Sequence, residues 1–65
     1  MQPHQQRVVD EKTALDEKIL ALSNFIGTDP TFEALDSAEQ GRLKGQNEIM
    51  LQYSEILGRR IAAFK

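Results

Sequence analysis

Basic side chains near both ends of the chain are the residues with the clearest chemistry. They are Arg7, Lys12, Arg59, Arg60 and Lys65. Arginine and lysine donate charge-assisted hydrogen bonds to phosphate or carboxylate oxygens, and a guanidinium does so through two parallel N–H groups. His4, Gln5 and Gln6 supply further donors beside Arg7. This set predicts that a small anion, such as a phosphodiester, binds where the two ends of the chain meet.

Helix electrostatics offers a second interpretation of the same cations. Arg59, Arg60 and Lys65 stabilise a helix C-terminus without any ligand. Arg7 is harder to explain in this way, because a cation in a first helical turn opposes the helix dipole. His4 is either a frayed first-turn residue or a ligand contact, and the sequence leaves both interpretations open.

No set of residues indicates catalysis. The chain has one His and no Cys, which excludes disulfides and thiolate zinc sites, and a single imidazole cannot complete a four-coordinate metal site. There is no Ser/His/Asp set at a workable separation, no P-loop and no convincing carboxylate pair. We therefore expect a non-enzyme that needs no metal or cofactor.

Composition narrows the range of partners. The formal net charge of -2 disfavours general affinity for a polyanion such as duplex DNA. No apolar run approaches the ~20 residues of a membrane span, and polar residues follow the first Met, so no secretory signal is expected. The absence of Cys suits an intracellular protein. Nucleic acid and membrane are therefore not expected as partners.

Two apolar stripes of helical period position the basic residues. The first stripe contains Val8, Leu15, Ile19, Leu22 and Ile26, and the second contains Leu43, Met50, Tyr53, Leu57, Ile61 and Phe64. Residues 1–65 are therefore predicted to form one all-α domain, an antiparallel two-helix hairpin with a short connecting turn. Helix 1 spans about 3–26, the connector spans 27–36 and helix 2 spans about 37–64.

Local signals mark the ends of these helices. Pro3 fits a first helical turn, where its missing N–H costs nothing. Gly27 fits the left-handed residue that often ends a helix. Asp36, with Glu39 three residues later, indicates a capping box at the start of helix 2. Phe32 and Leu35, in the connector, are predicted to close the bottom of the core.

The hairpin brings residues 1–12 beside residues 55–65, and we call these two segments the open end. The charged residues of the open end sum to +2, whereas those of the remaining chain sum to -4. Unpaired N–H groups at the start of helix 1 add partial positive charge there. The open end is thus cationic within an acidic protein. Residues 16–18, in contrast, are expected to be a solvated stretch.

Helix 2 carries more apolar surface than helix 1 can cover. Beside the line that repeats every seven residues through Met50 and Leu57, a second line contains Ile49 and Ile56, with Tyr53 between them. So small a chain rarely stabilises itself without assembly. We therefore predict a homo-oligomeric helical bundle. The predicted interface residues are Ile49, Met50, Tyr53, Ile56, Leu57 and Gly58.

Gly58 is included because a glycine inside a helix costs roughly 0.8–1 kcal/mol relative to alanine. Such a residue often marks the close approach of another helix or of a ligand. An exposed glycine that is merely tolerated is the alternative, and the sequence leaves both open.

The pattern as a whole carries a family resemblance that covers nearly the full chain. The residues that carry it are Gln6-Arg7-Val8-Val9-Asp10-Glu11-Lys12, Leu15-Asp16-x-Lys18-Ile19, Leu22-x-x-Phe25-Ile26, Phe32-x-x-Leu35, Glu39-Gln40-x-Arg42-Leu43, Gln46, Met50-x-x-Tyr53 and Leu57-x-x-Arg60-Ile61. The chain resembles the helical-hairpin domain of phage anti-CBASS and anti-Thoeris sponge proteins. This resemblance implies a small oligomer, often a hexamer, that sequesters cyclic nucleotide immune signals without cleaving them. It also implies a cytoplasmic location in the infected or lysogenic bacterial host.

The resemblance further implies where a ligand binds. The family places its pockets between subunits, with basic side chains on phosphates and an aromatic or apolar side chain on bases. Arg60 matches the Leu-x-x-Arg-Ile motif, and Arg7 and Glu11 match the N-terminal motif. His4 is the candidate stacking group. The ligand-binding residues implied are thus His4, Arg7, Glu11 and Arg60, for a cyclic dinucleotide, a cyclic trinucleotide or a ligand of the cyclic ADP-ribose type.

Two alternative functions stay open at this point. Glu11-Lys12-Thr13-Ala14-Leu15 and Asp36-x-Ala38-Glu39-Gln40 resemble segments of small plasmid copy-number regulators, which are RNA-binding hairpins that pair into four-helix bundles. Against this, the chain lacks a broad basic face with interleaved aromatic residues. The other alternative is an oligomeric module that inhibits a host protein through the face containing Ile49 and Ile56.

Overall fold

The computed structural model describes residues 1–65 and is all-helical, as predicted. Helix α1 spans Pro3–Thr28, α2 is the single turn Pro30–Ala34, and α3 spans Ser37–Ala62. Helices α1 and α3 pack along their lengths in opposite directions and form a rod of 47 × 15 × 14 Å. The chain is therefore a helical hairpin only two helices thick. None of its helices has the combination of length and apolar character needed to cross a lipid bilayer.

The helix starts follow the local signals. Pro3 is the first residue of α1, and the preceding Gln2 N–H donates to the Gln5 side chain at 2.9 Å. The Asp36 carboxylate accepts from the Glu39 N–H at 2.7 Å and caps α3. Both starts are as predicted, because a cap depends on residues within one turn of each other.

The end of α1 differs from the prediction. No residue has a positive φ, and α1 continues through Gly27 to Thr28. Asp29 ends the helix in an extended conformation, with φ -90 and ψ 121. Its position before Pro30 explains this, because proline disfavours the helical conformation of the residue before it. The prediction of a left-handed Gly27 cap was wrong because the helix continues to Thr28 and ends at Asp29, directly before Pro30.

The core is a thin seam between α1 and α3. Its buried residues are Val8, Leu15, Ile19 and Leu57, and Met50, Ile61 and Phe64 pack against them. Phe32 is buried at the closed end and meets Phe25 edge to face at 5.9 Å between ring centroids. This confirms the predicted role of Phe32.

The single hairpin exposes more surface than its mass requires. A folded monomer of 7.4 kDa exposes about 4,200 Å² on average, whereas this chain exposes 4848 Å². Only 6 of 65 residues are buried, so most apolar side chains of α3 outside the seam meet water.

Candidate functional site

A polar cluster joins the middle of α1 to α3 at one edge of the seam. The Lys12 ammonium donates to Asp16 Oδ2 at 2.8 Å and to Ser54 Oγ at 2.9 Å. The Ser54 hydroxyl donates in turn to Asp16 Oδ1 at 2.5 Å, and Ser54 is itself buried. The hydrogen bonds from Lys12 and then Ser54 lower the pKa of Asp16 below its ordinary value. We call these three residues the polar clamp.

Residues 16–18 are all exposed, as expected for a solvated stretch, and the clamp adds a contact between helices that the sequence analysis does not predict. Asp16 is half-exposed but bonded across the helices. Two signals in the sequence pointed to it. Lys12 and Asp16 have opposite charges four residues apart, and Ser54 lies three residues before Leu57 on the inward side of α3. Each signal is weak alone, because neither reveals which residues the other helix places opposite.

Gly58 gives the Lys12 side chain its path to the clamp. A Cβ at position 58 would lie 3.4 Å from Lys12 Cε, so the aliphatic stem of Lys12 passes directly over the glycine. Gly58 is thus at a contact between helices of the same chain. It is placed on the clamp edge of the hairpin rather than among the exposed apolar residues of α3.

A second polar contact lies on the same side of the hairpin. The Asn47 amide donates to Ser23 Oγ at 3.2 Å. Together with the polar clamp it defines what we call the clamp side. Leu20 and Leu51 are 62% and 47% exposed, and each lies within one turn of both polar contacts. The clamp side therefore carries a small exposed apolar patch between its two polar contacts.

The residues of α1 in the predicted ligand set lie on the other side. Each residue turns about 100° around a helix axis. Lys12, four residues after the inward-facing Val8, is turned toward the clamp side. His4 and Arg7 precede Val8 by four residues and one residue, and Glu11 follows it by three. These offsets turn all three residues toward the opposite side of the hairpin. All three are exposed, so the structure brings them to one flank of α1.

The matching flank of α3 carries the exposed apolar residues. Around the inward-facing Leu57, the helical period turns Ser54 toward the clamp side and places Ile49, Tyr53 and Ile56 on the opposite flank. Those three residues are 64%, 43% and 53% exposed, respectively. We call them the α3 stripe, and the side that bears them the stripe side.

Arg60 extends the α3 stripe by one turn into the open end. It lies four residues after Ile56 and is exposed. Because the open end also contains the start of α1, Arg60 and Arg7 share both an end and a side of the hairpin. The stripe side therefore holds every residue of the predicted ligand set.

Besides Gly58, two further predicted interface residues lie outside the α3 stripe. Leu57 is only 1% exposed and is the most buried residue of the hairpin, so its side chain packs in the core of its own chain. Met50 is half-buried and packs against that core. The physical reason is that both lie on the α3 line that faces α1.

Most open-end cations have no acidic neighbour. The ion pairs of the structure are Lys12–Asp16 and Arg42–Glu39, each at 2.8 Å. Arg7, Arg59, Arg60 and Lys65 have no carboxylate within the 4.0 Å of an ion pair. Asp10, near Arg7 in sequence, accepts instead from the Gln6 amide at 2.9 Å. The open end therefore presents guanidinium groups that form no ion pair within the chain.

The hairpin has no pocket of its own, and no three acidic or histidine side chains are grouped to hold a metal ion. Its fold and its stripe side define a small all-helical hairpin with unpaired arginines at one end and an uncovered apolar stripe beside them.

Comparison with protein families assigns this hairpin. The chain belongs to the Sequestin family, whose model matches residues 2–63. Sequestin is the family of phage anti-CBASS and anti-Thoeris cyclic nucleotide sponges, which confirms the resemblance drawn from the sequence. Comparisons with curated proteins and with solved structures give no match.

Proposed function

We propose that this chain is a non-enzymatic phage or prophage sponge in the cytoplasm of the bacterial host. It binds cyclic nucleotide immune signals, of the cyclic dinucleotide, cyclic trinucleotide or cyclic ADP-ribose type, and keeps them from the defence proteins they activate. The observation that carries this proposal is the pair Arg7 and Arg60. Both are exposed, unpaired and on the same side of the open end.

The proposed chemistry is charge-assisted recognition of phosphates. A guanidinium gives two parallel hydrogen bonds to one phosphate, which lysine does not reproduce. The dipole of α1 adds partial positive charge at the same end. Of the N–H groups in its first turn, that of His4 is free, whereas Gln5 and Gln6 donate to the Gln2 carbonyl. His4 supplies a ring that stacks on a base, and Glu11 lies one turn after Arg7 at the edge of this set.

The proposed site is completed by a second copy of the chain. Small-molecule sites bury most of their ligand, and a rod of 15 × 14 Å in cross-section offers only open surface. The α3 stripe runs directly into Arg60, so a copy packed on the stripe reaches the ligand as well. In the hexamer that the family resemblance implies, a second kind of contact is needed. The exposed Leu20 and Leu51 of the clamp side supply it.

Membership of the Sequestin family supports sequestration without cleavage. Hydrolysis of a phosphodiester needs a positioned general acid and base or a metal ion. The one imidazole, His4, is exposed in the first turn of α1 and makes no hydrogen bond that orients it. The proposed sponge therefore holds its ligand and releases it unchanged.

A thermal-shift screen tests the proposed function. The purified chain is heated with a cyclic dinucleotide, a cyclic trinucleotide, a cyclic ADP-ribose and linear mononucleotides at equal concentrations. We expect at least one cyclic ligand to raise the melting temperature, because binding to the folded state alone stabilises it. No shift with any cyclic ligand would contradict the proposal. Retention of RNA with a steep salt dependence, or capture of one stoichiometric host protein, would favour the alternatives instead.

A further inference from the structure

We propose that two copies of the hairpin pack stripe side to stripe side about a two-fold axis that crosses the rod. In this pairing α3 lies antiparallel on α3 of the second copy, and α1 lies antiparallel on α1. The proposal deepens the assembly part of the proposed function and does not depend on the identity of the ligand. Two features of the stripe side support it independently, one apolar and one charged.

The apolar feature is the spacing of the α3 stripe. Ile49 and Ile56 are seven residues apart, about 10.5 Å along the helix, with Tyr53 between them. An axis that crosses α3 midway packs Ile49 on Ile56 of the second copy and Ile56 on its Ile49. The α3 stripe of each copy is then covered by the α3 stripe of the other. This removes from water the three most exposed large apolar residues on this side of α3.

The charged feature is a pair on the matching flank of α1. Glu11 and Lys18 are also seven residues apart, and neither makes an ion pair within the chain. Lys18 lies on the same flank as Glu11, because a step of seven residues is nearly two full turns. An antiparallel pairing of α1 places Glu11 beside Lys18 of the second copy, twice per dimer.

One two-fold axis can pass through the centres of both features, because those centres lie at the same height along the hairpin. The Lys12–Ser54 hydrogen bond fixes which turn of α1 lies beside which turn of α3. The midpoint between Glu11 and Lys18 is two to three residues from Lys12, and the midpoint of the stripe is one to two residues from Ser54. Both midpoints therefore lie at the same height of the rod to within about 5 Å, less than one turn.

The other face-to-face arrangement is less favourable. An axis along the rod lays α3 on α1 of the second copy. Ile49 and Ile56 would then face Lys18 and Glu11, respectively. Such a pairing desolvates two charges against apolar side chains and gives neither an opposite charge. The crossing axis instead matches apolar with apolar and acid with base, and it assigns Glu11 to contact between copies rather than to the ligand.

Charge reversal tests the proposed pairing by sedimentation equilibrium. Glu11→Lys or Lys18→Glu places like charges opposite each other at two symmetric points, and we expect the dimer dissociation constant to rise about 5- to 30-fold. The double variant Glu11→Lys/Lys18→Glu restores both pairs and should return to within about 3-fold of the wild type. Glu17→Lys is the matched control, with the same charge change on an exposed residue outside the face. A double variant no better than the single variants would overturn the proposal.

Cysteine cross-linking supplies a readout that does not depend on affinity, because the chain has no native Cys. We expect oxidation of an equimolar mixture of Ile49→Cys and Ile56→Cys to give mainly the mixed disulfide, since these positions oppose each other. Disulfides that join mainly two copies of the same variant would overturn the pairing. The absence of any disulfide in a sample that is assembled would overturn it as well. If the mixed disulfide forms but no cyclic ligand binds, the sponge function is rejected and the proposed pairing stands.

Discussion

Lys12 is the open-end cation that its own chain already uses. Its ammonium is held by Asp16 and Ser54 on the clamp side, turned away from Arg7 and Arg60. The sequence groups these cations together by position alone, and only the register between α1 and α3 separates them. At the scale of residues, the clamp holds Lys12 in a contact within the chain and leaves Arg7 and Arg60 as the open-end cations of the stripe side.

The polar clamp makes stability depend on the protonation of Asp16. The folded-state pKa of Asp16 is lowered by Lys12 and Ser54, below the value of about 3.9 in an unfolded chain. The stabilisation is therefore fully present above about pH 4 and is lost as the pH falls through the folded-state pKa. We expect the wild type to melt above Asp16→Asn at pH 7 and the difference to shrink below pH 4.

Thermal melts of the two proteins between pH 2 and pH 7 measure this difference. Glu17→Gln, which removes the adjacent exposed carboxylate, is the matched control and should not reproduce the change. A gap between the wild type and Asp16→Asn that is constant across this range would show that the clamp carboxylate is not stabilised by its hydrogen bonds.

At the scale of helices, features that depend on neighbouring residues could be predicted. The starts of α1 and α3 follow from Pro3 and from Asp36 with Glu39, and the apolar period gives the inward line of each helix. The end of α1 was misplaced because two stop signals, Gly27 and Pro30, compete within three residues. The polar clamp was missed because it requires knowing which turn of α3 lies opposite Lys12, and no local pattern contains that information.

Alanine substitutions at Gly41 and Gly58 distinguish the effect of helix propensity on stability from the effect of packing. Alanine at an open helical position gains about 0.8–1 kcal/mol over glycine, and a Cβ at Gly41 meets nothing within 4 Å. A Cβ at Gly58 meets Lys12 Cε at 3.4 Å, so part of the gain is offset by displacing the Lys12 stem. We expect Gly41→Ala to raise the free energy of unfolding by the full amount and Gly58→Ala by less. Equal gains in urea unfolding would contradict the Lys12 contact.

At the scale of the whole molecule, the hairpin has apolar residues exposed on both of its sides. The α3 stripe lies on one side, and Leu20 and Leu51 lie on the other. Two different surfaces are what a closed assembly larger than a dimer needs. The sequence indicated an excess of apolar surface on helix 2, but the division into two sides becomes visible only when the polar contacts identify the clamp side.

Substitutions on the two sides should therefore give different products. Leu51→Asp disrupts only the proposed clamp-side contact, and we expect pairs of hairpins near twice the monomer mass of 7.4 kDa. Ile56→Asp buries a charge within the stripe and should remove that pairing. Sedimentation velocity at micromolar concentration distinguishes the products. A wild type that sediments as a folded monomer would contradict the account of assembly.

The central claim is that Arg7 and Arg60 bind the phosphates of a cyclic nucleotide that the protein does not alter. Titration calorimetry with the cyclic ligand that gives the largest thermal shift tests it most directly. Because each charge-assisted contact contributes roughly 1.5–3 kcal/mol, we expect Arg60→Ala to weaken binding about 10- to 150-fold. Arg59→Ala removes the adjacent exposed arginine, which the helical period turns away from the stripe side, and should bind like the wild type. The ligand should be recovered intact after the complex is heated. Full affinity in both Arg7→Ala and Arg60→Ala, or release of a linear nucleotide, would contradict the claim.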